Sequence, residues 1–167
     1  MDKVYVEATY KSLNKLNEEL CGDRVEIVKN DDSYFVVLSD GLGSGVKANI
    51  LSTLTSKIIS TMMFQGASIE DTVETIVHTL PVCSVRKVAY STFMILQIDY
   101  DGNAYLVEFD SPGCIFVRDG RLMNIEYNYR SIAGKEIKEA HFKVKPNDFM
   151  MLLSDGVVYA GIGELMN

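Results

Sequence analysis

The chain has 167 residues, 47% of them hydrophobic and 23% charged, the composition of one globular domain rather than of a disordered segment. Sixteen Lys and Arg against 23 Asp and Glu leave a net charge of −7, which argues against a phosphate-backbone ligand. The same charge fits a solvated surface or carboxylates that hold divalent cations. In chain order, Lys3 to Tyr10 alternates apolar and polar residues and predicts a strand, and the polar stretch Lys11 to Gly22 predicts a loop or one weak turn of helix. Strands are expected over Arg24–Val28 and Tyr34–Ser39, separated by the turn residues Asn30 to Ser33. The period then changes: Val46, Ile50, Leu54, Ile58 and Met62 recur every fourth position beside Leu51, Ile59 and Met63. This predicts a long helix packed on a sheet and ending at Gln65-Gly66.

A second helix opens at Ser68 with Asp71 in a capping-box position, buries Ile69, Val73, Ile76, Val77 and Leu80, and stops at Pro81. The rest predicts antiparallel sheet. Tyr90–Asp99 and Asn103–Asp110 flank Asp101-Gly102, and Cys114–Arg118 and Arg121–Tyr127 flank Asp119-Gly120. Glu139–Val144 and Phe149–Ser154 flank Lys145 to Asp148. Strands on both sides of a helical pair give an α+β layered fold over 1–167, two antiparallel sheets with helices outside. Two helices are a thin cover, so a second copy in a homodimer, or residues beyond this chain, would complete the sandwich.

The first ten residues, with Asp2, Lys3 and Glu7, do not read as a secretory signal, and the apolar runs fall short of the roughly 20 residues that cross a bilayer. Cys21, Cys83 and Cys114 form no CxxC pair, so reduced thiols in a cytoplasm are the simplest account.

The chemistry centres on Ser39-Asp40-Gly41-Leu42-Gly43-Ser44-Gly45, between a strand end and a helix start. A second Ser-Asp-Gly, at 154–156, follows the apolar strand Phe149–Leu153, and Asp23 precedes another strand. Carboxylates gathered at neighbouring strand ends make an oxygen-rich pocket for Mg²⁺ or Mn²⁺. Asp101 and Asp119 are read as turn residues, and His78 and His141 as surface or merely satisfied side chains. Rival motifs fail on spacing. Val46 stands where GxGxxG needs its last glycine, and no GxxxxGK[ST] occurs. Ile27, Ala89 and Gly120 stand where a thiol phosphatase needs arginine, and Gly43-Ser44-Gly45 is not GxSxG. Ser44 and Lys47, at the helix start, are read as capping and solvated residues before phosphate-facing ones.

Gly22-Asp23, Val36 to Gly45, Tyr90-Ser91-Thr92-Phe93 and Leu152 to Val157 together resemble the SpoIIE branch of the protein phosphatase 2C-like metal-dependent phosphatases, in order and spacing from Val4 to Gly161. The resemblance implies an αββα sandwich with two Mn²⁺ or Mg²⁺ ions between the sheets. It implies that Asp40 bridges both ions, that the Gly41 carbonyl helps one, and that Asp23 and Asp155 serve one each. Two cations about 3.5–4 Å apart would activate a bridging water for in-line attack on phosphorus. The implied substrate is phosphoserine or phosphothreonine on a regulatory protein such as an anti-sigma-factor antagonist, with no nucleic acid and no membrane involved.

Two features depart from the family pattern. No Asp-Asp-x-Thr-like segment follows Asp155 before Asn167, and Ile132-Ala133-Gly134 stands where a Pro-Ile-Gly-like segment is expected. The first leaves two accounts open, a C-terminally truncated domain or a weakened site. The competing function is a non-catalytic pseudophosphatase that binds a signalling partner.

Overall fold

In the computed structural model, which describes residues 3–79 and 91–160, most of the period-2 segments become strands. The element order is β1 (Asp23–Lys29), β2 (Ser33–Gly41), α1 (Gly45–Phe64), α2 (Ile69–Thr79), β3 (Ser91–Asp99) and β4 (Asn103–Phe109), followed by β5 (Cys114–Arg118), β6 (Arg121–Leu122), β7 (Asn128–Ile132), β8 (Lys135–Lys143), β9 (Phe149–Leu152) and α3 (Asp155–Val158). All pairs are antiparallel, in a six-stranded sheet of order β1-β2-β3-β4-β8-β7 and a three-stranded sheet of order β6-β5-β9. The architecture is the expected α+β one, and the strand alternation sorts it into two cores. Phe35, Val37, Phe93, Ile95 and Val107 face α1 and α2, where they meet Ile59, Met63, Val73 and Ile76. Leu38, Met94, Leu96 and Leu106 face the other way, toward Met150 and Leu152 of the small sheet. Among the described residues, no helix longer than four residues follows α2.

α2 forms as its sequence requires. The Ser68 hydroxyl accepts the Asp71 amide at 3.0 Å, and Ile69, Val73, Ile76 and Val77 are buried. Leu80, Pro81, Cys83 and Tyr90 lie outside the described residues.

α1 corrects the expected packing. Val46, Ile50 and Leu54 are 62%, 59% and 53% exposed, while Ala48, Ser52, Thr55, Ser56, Ile59, Ser60 and Met63 are buried. The reason is a close approach. A Cβ on Gly41 would run into the Ala48 carbonyl, 2.7 Å from its carbon, and one on Gly22 would lie 3.2 Å from the Ala48 Cβ. Only a small-residue face fits a backbone that near. The buried hydroxyls cost little because each bonds a carbonyl of its own helix: Ser52 to Asn49, Thr55 to Leu51, Ser56 to Thr53 and Ser60 to Lys57. Ile50→Glu is therefore expected to change stability by less than about 0.5 kcal/mol, whereas Ile59→Ala costs about 2–5 kcal/mol. Urea denaturation of the two variants checks this.

Four further differences are tertiary in origin. Residues 3–15 form no strand; one backbone bond, from the Val4 amide to the Tyr100 carbonyl at 2.8 Å, ties them down, and Val4 and Val6 fill the inter-sheet core. The strand expected to run to Tyr127 stops at Leu122, after which Ile125 and Tyr127 turn into the same core. Residues 128–132, not expected to be a strand, form β7, which pairs with β8 across a turn where Ala133 and Gly134 both have positive φ (50° and 74°). The segments flanking Lys145 to Asp148 are not a hairpin, since β8 pairs with β4 and β7 while β9 pairs with β5 in the other sheet. Asp148 fixes that crossing. It accepts two bonds from Arg118, at 2.9 and 2.7 Å, and one from the Lys145 amide at 2.7 Å. The Arg118 guanidinium accordingly holds the Asp148 carboxyl below its ordinary range.

Candidate metal centre

The antiparallel register of β1 and β2 sets Asp23 directly opposite Asp40. Both continue the inter-sheet alternation, Asp23 two residues before Val25 and Asp40 two after Leu38, so both side chains belong to the face between the sheets. Asp155 enters from the small sheet, in the first turn of α3 just after β9. Its neighbour Ser154 is buried, and the Ser154 hydroxyl donates to Asp23 Oδ2 at 2.7 Å, linking the two sheets at this end. The Asp40 carboxyl has the Asp23 and Asp155 carboxylates as its close neighbours.

Directly opposed like charges across strands destabilise a sheet. Burial first, and then the negative charges of Asp23 and Asp155, push the Asp40 carboxyl up to about 8. A proton on Asp40 thus offsets the repulsion at neutral pH. A hard divalent cation would do the same with more charge, and an all-carboxylate donor set suits Mn²⁺ or Mg²⁺. Among the described residues, no three acidic, histidine or cysteine side chains cage an ion as they stand. Asp40 is a neighbour of both other carboxylates.

Gly41 ends β2 beside Asp40, and its amide donates to the Gly22 carbonyl at 3.1 Å, holding the residue before Asp23 against the site. The strand end is braced from β3. Ser39 and Ser91 share a hydrogen bond of 2.8 Å between hydroxyls, and the Ser91 hydroxyl also donates to the Asp40 carbonyl at 3.0 Å. Sequence reasoning singled out Ser91 only as part of a motif, and gave Ser154 no role of its own. Both hydroxyls sit one residue from a carboxylate or its cross-strand partner, a signal that only the pairing register makes readable.

Other candidates fall outside the centre. Ser44 stands at the N-cap position of α1, yet its hydroxyl makes no capping bond; it donates to the Glu18 carboxylate at 2.8 Å, which corrects the capping role expected of it. Lys47 is exposed on the first turn of α1. His78 and His141 are exposed, the first bonded to the Glu74 carbonyl at 2.8 Å and the second stacked on Tyr105 at 4.0 Å. Cys21 and Cys114 are unpaired and half-buried, and burial pushes the Cys114 thiol up to about 12, far from a reactive thiolate.

The family model for Stage II sporulation protein E (SpoIIE) matches residues 30–165. The chain belongs to the SpoIIE family. Its fold is shared with the PP2C phosphatase domain of SpoIIE from Bacillus subtilis, solved with a fragment of the regulatory domain, at a TM-score of 0.76 and 21% identity over 88% of this chain. It is also shared with RsbX in complex with magnesium, at a TM-score of 0.67 and 20% identity over 87% of this chain. The RsbU and RsbW domains of Rv1364c from Mycobacterium tuberculosis match at a TM-score of 0.72 and 16% identity over 87% of this chain. This SpoIIE-family chain spans 44%, 72% and 42% of those three chains, respectively. No curated protein sequence matches it. Among the described residues, no helix is long and apolar enough to cross a membrane.

Proposed function

We propose that this SpoIIE-family domain is a metal-dependent protein serine/threonine phosphatase that acts in the cytoplasm on a phosphorylated regulatory protein. The observation that carries the reading is the cross-strand pair Asp23–Asp40 with Asp155 beside it, which sets like charges together at one end of the sandwich. A pure binding domain gains nothing from that arrangement, whereas a two-ion hydrolase needs it. Two divalent ions would supply water activation and neutralisation of phosphate oxygens. In this reading Asp40 is the ligand common to both ions, Asp23 and Asp155 serve one each, and the Gly41 carbonyl adds a neutral oxygen. The protein's own part is to hold these groups fixed. Ser154 restrains Asp23, Ser91 restrains the backbone of Asp40, and the Gly41–Gly22 bond fixes the loop edge. A regulatory protein as partner is supported by the RsbW domain that accompanies the RsbU domain in Rv1364c.

The test is Mn²⁺-dependent release of phosphate from p-nitrophenyl phosphate and from a phosphoserine protein, alongside Mn²⁺ calorimetry. Metal-dependent turnover supports the proposal. Metal binding without turnover, or neither, favours the second reading, a pseudophosphatase that docks a partner. The observation behind that alternative is that no three ligands among the described residues already cage an ion.

A further inference from the structure

Between β4 and β5 a four-residue connection, residues 110–113, crosses from the large sheet to the small one beside Asp40. Asp110 and Gly113, at its two ends, adopt positive φ (49° and 110°). Glu108, at the end of β4 and only 1% exposed, accepts the Tyr127 hydroxyl at 2.7 Å just before this connection. The connection carries Ser111 and Pro112 to a cavity of about 10 Å³ that they line with Leu38, Asp40, Thr92, Met94 and Ser154. That volume has room for about one water. The Ser111 hydroxyl is enclosed and has no hydrogen-bond partner among the described residues. The lining is largely apolar, so an unpartnered hydroxyl on one wall and the Asp40 carboxyl on another are the polar partners an internal water would take there.

We propose that Ser111 is a positioning residue for Asp40: its hydroxyl binds one water in this cavity, and that water hydrogen-bonds the Asp40 carboxylate and fixes its rotamer. Thr92, opposite Asp40 across β2 and β3, adds a further polar side chain to the lining. The role is indirect, since Ser111 acts on Asp40 through the water. The consequence for metal affinity rests on the reading of Asp40 as a ligand, but the water and the rotamer do not.

High-resolution crystal structures of the metal-free wild type, Ser111→Ala and Ser111→Thr test the proposal, with Mn²⁺ calorimetry on the same three proteins. The expected result is a water within hydrogen-bond distance of both Ser111 and Asp40 in the wild type. In Ser111→Ala that water is lost and the Asp40 carboxylate is displaced or split between rotamers. Ser111→Thr, which keeps the hydroxyl, restores a single Asp40 rotamer. Manganese affinity falls about 10-fold in Ser111→Ala, the usual loss when an outer-shell partner is removed, and recovers in Ser111→Thr. The proposal is overturned by a dry cavity in the wild type, by an Asp40 rotamer unchanged in Ser111→Ala, or by equal Mn²⁺ affinity in the two. Wild-type protein that binds no Mn²⁺ at all would sink the metal reading instead, and the crystallographic water and rotamer would still decide the role of Ser111.

Discussion

Asp40→Asn is expected to abolish Mn²⁺-dependent phosphate release while making the metal-free protein more stable than wild type at pH 8. The two effects have one cause. Asp40 sits opposite Asp23 with Asp155 beside it, and its carboxyl is raised to about 8 by burial and by both neighbouring charges. Because its folded pKa lies above its unfolded value, the folded state holds the extra proton. Stability is therefore full below the ordinary carboxylate range and is lost as pH climbs from there toward about 8. An amide keeps the hydrogen-bonding shape without the third negative charge, so that alkaline loss disappears. It also removes the one group adjacent to both other carboxylates, and several kcal/mol of transition-state stabilisation go with it, a fall in turnover of roughly 10³-fold or more. Thermal melts between pH 5 and pH 9 with and without Mn²⁺, set beside phosphate release, check both halves. A variant that melts like wild type across this range would remove the repulsion argument, and one that keeps its Mn²⁺ response would remove the ligand argument.

Gly41→Ala is expected to cost at least about 3 kcal/mol, the upper range for overpacking, and to cost activity besides. The added methyl would meet the Ala48 carbonyl oxygen, and its nearest other contacts are the Ala48 carbonyl carbon and Cα at 2.7 and 2.9 Å. Backbone cannot swing aside as the end of a long side chain can. Either α1 lifts off β2, uncovering Ile59 and Met63, or the end of β2 moves and carries Asp40 away from Asp23. Gly43→Ala, two residues on, meets no atom within 4 Å, and its cost is confined to the strain of a φ of 99°. Denaturation of the two variants separates close approach from backbone conformation, and equal losses would contradict the packing account.

What the sequence by itself determined is local. The Asp101-Gly102 turn, the Ser68 cap and the alternation through Tyr34 to Asp40 depend on neighbours within a few residues, so β2, β3, β4 and α2 are legible from the chain alone. Asp40 and Asp155 are legible for the same reason, as acidic residues placed where an apolar strand runs out. The tertiary structure decided everything that depends on which backbone comes near which. Periodicity marks the large apolar residues of α1 as its inner face, and Ile59 and Met63 are buried, but near Ala48 the approach to Gly22 and Gly41 leaves space only for small ones, and Val46, Ile50 and Leu54 turn outward. Turn chemistry at Lys145 to Asp148 looks the same whether two strands pair or part, and it is the partners, β4 for β8 and β5 for β9, that send them to different sheets. The roles of Ser91, Ser154 and Ser111 are invisible in sequence because a hydroxyl's function lies in what faces it: Ser39 meets Ser91 only once β2 and β3 pair, and Asp23 and Asp40 come near Ser154 and Ser111 only once the two sheets have stacked.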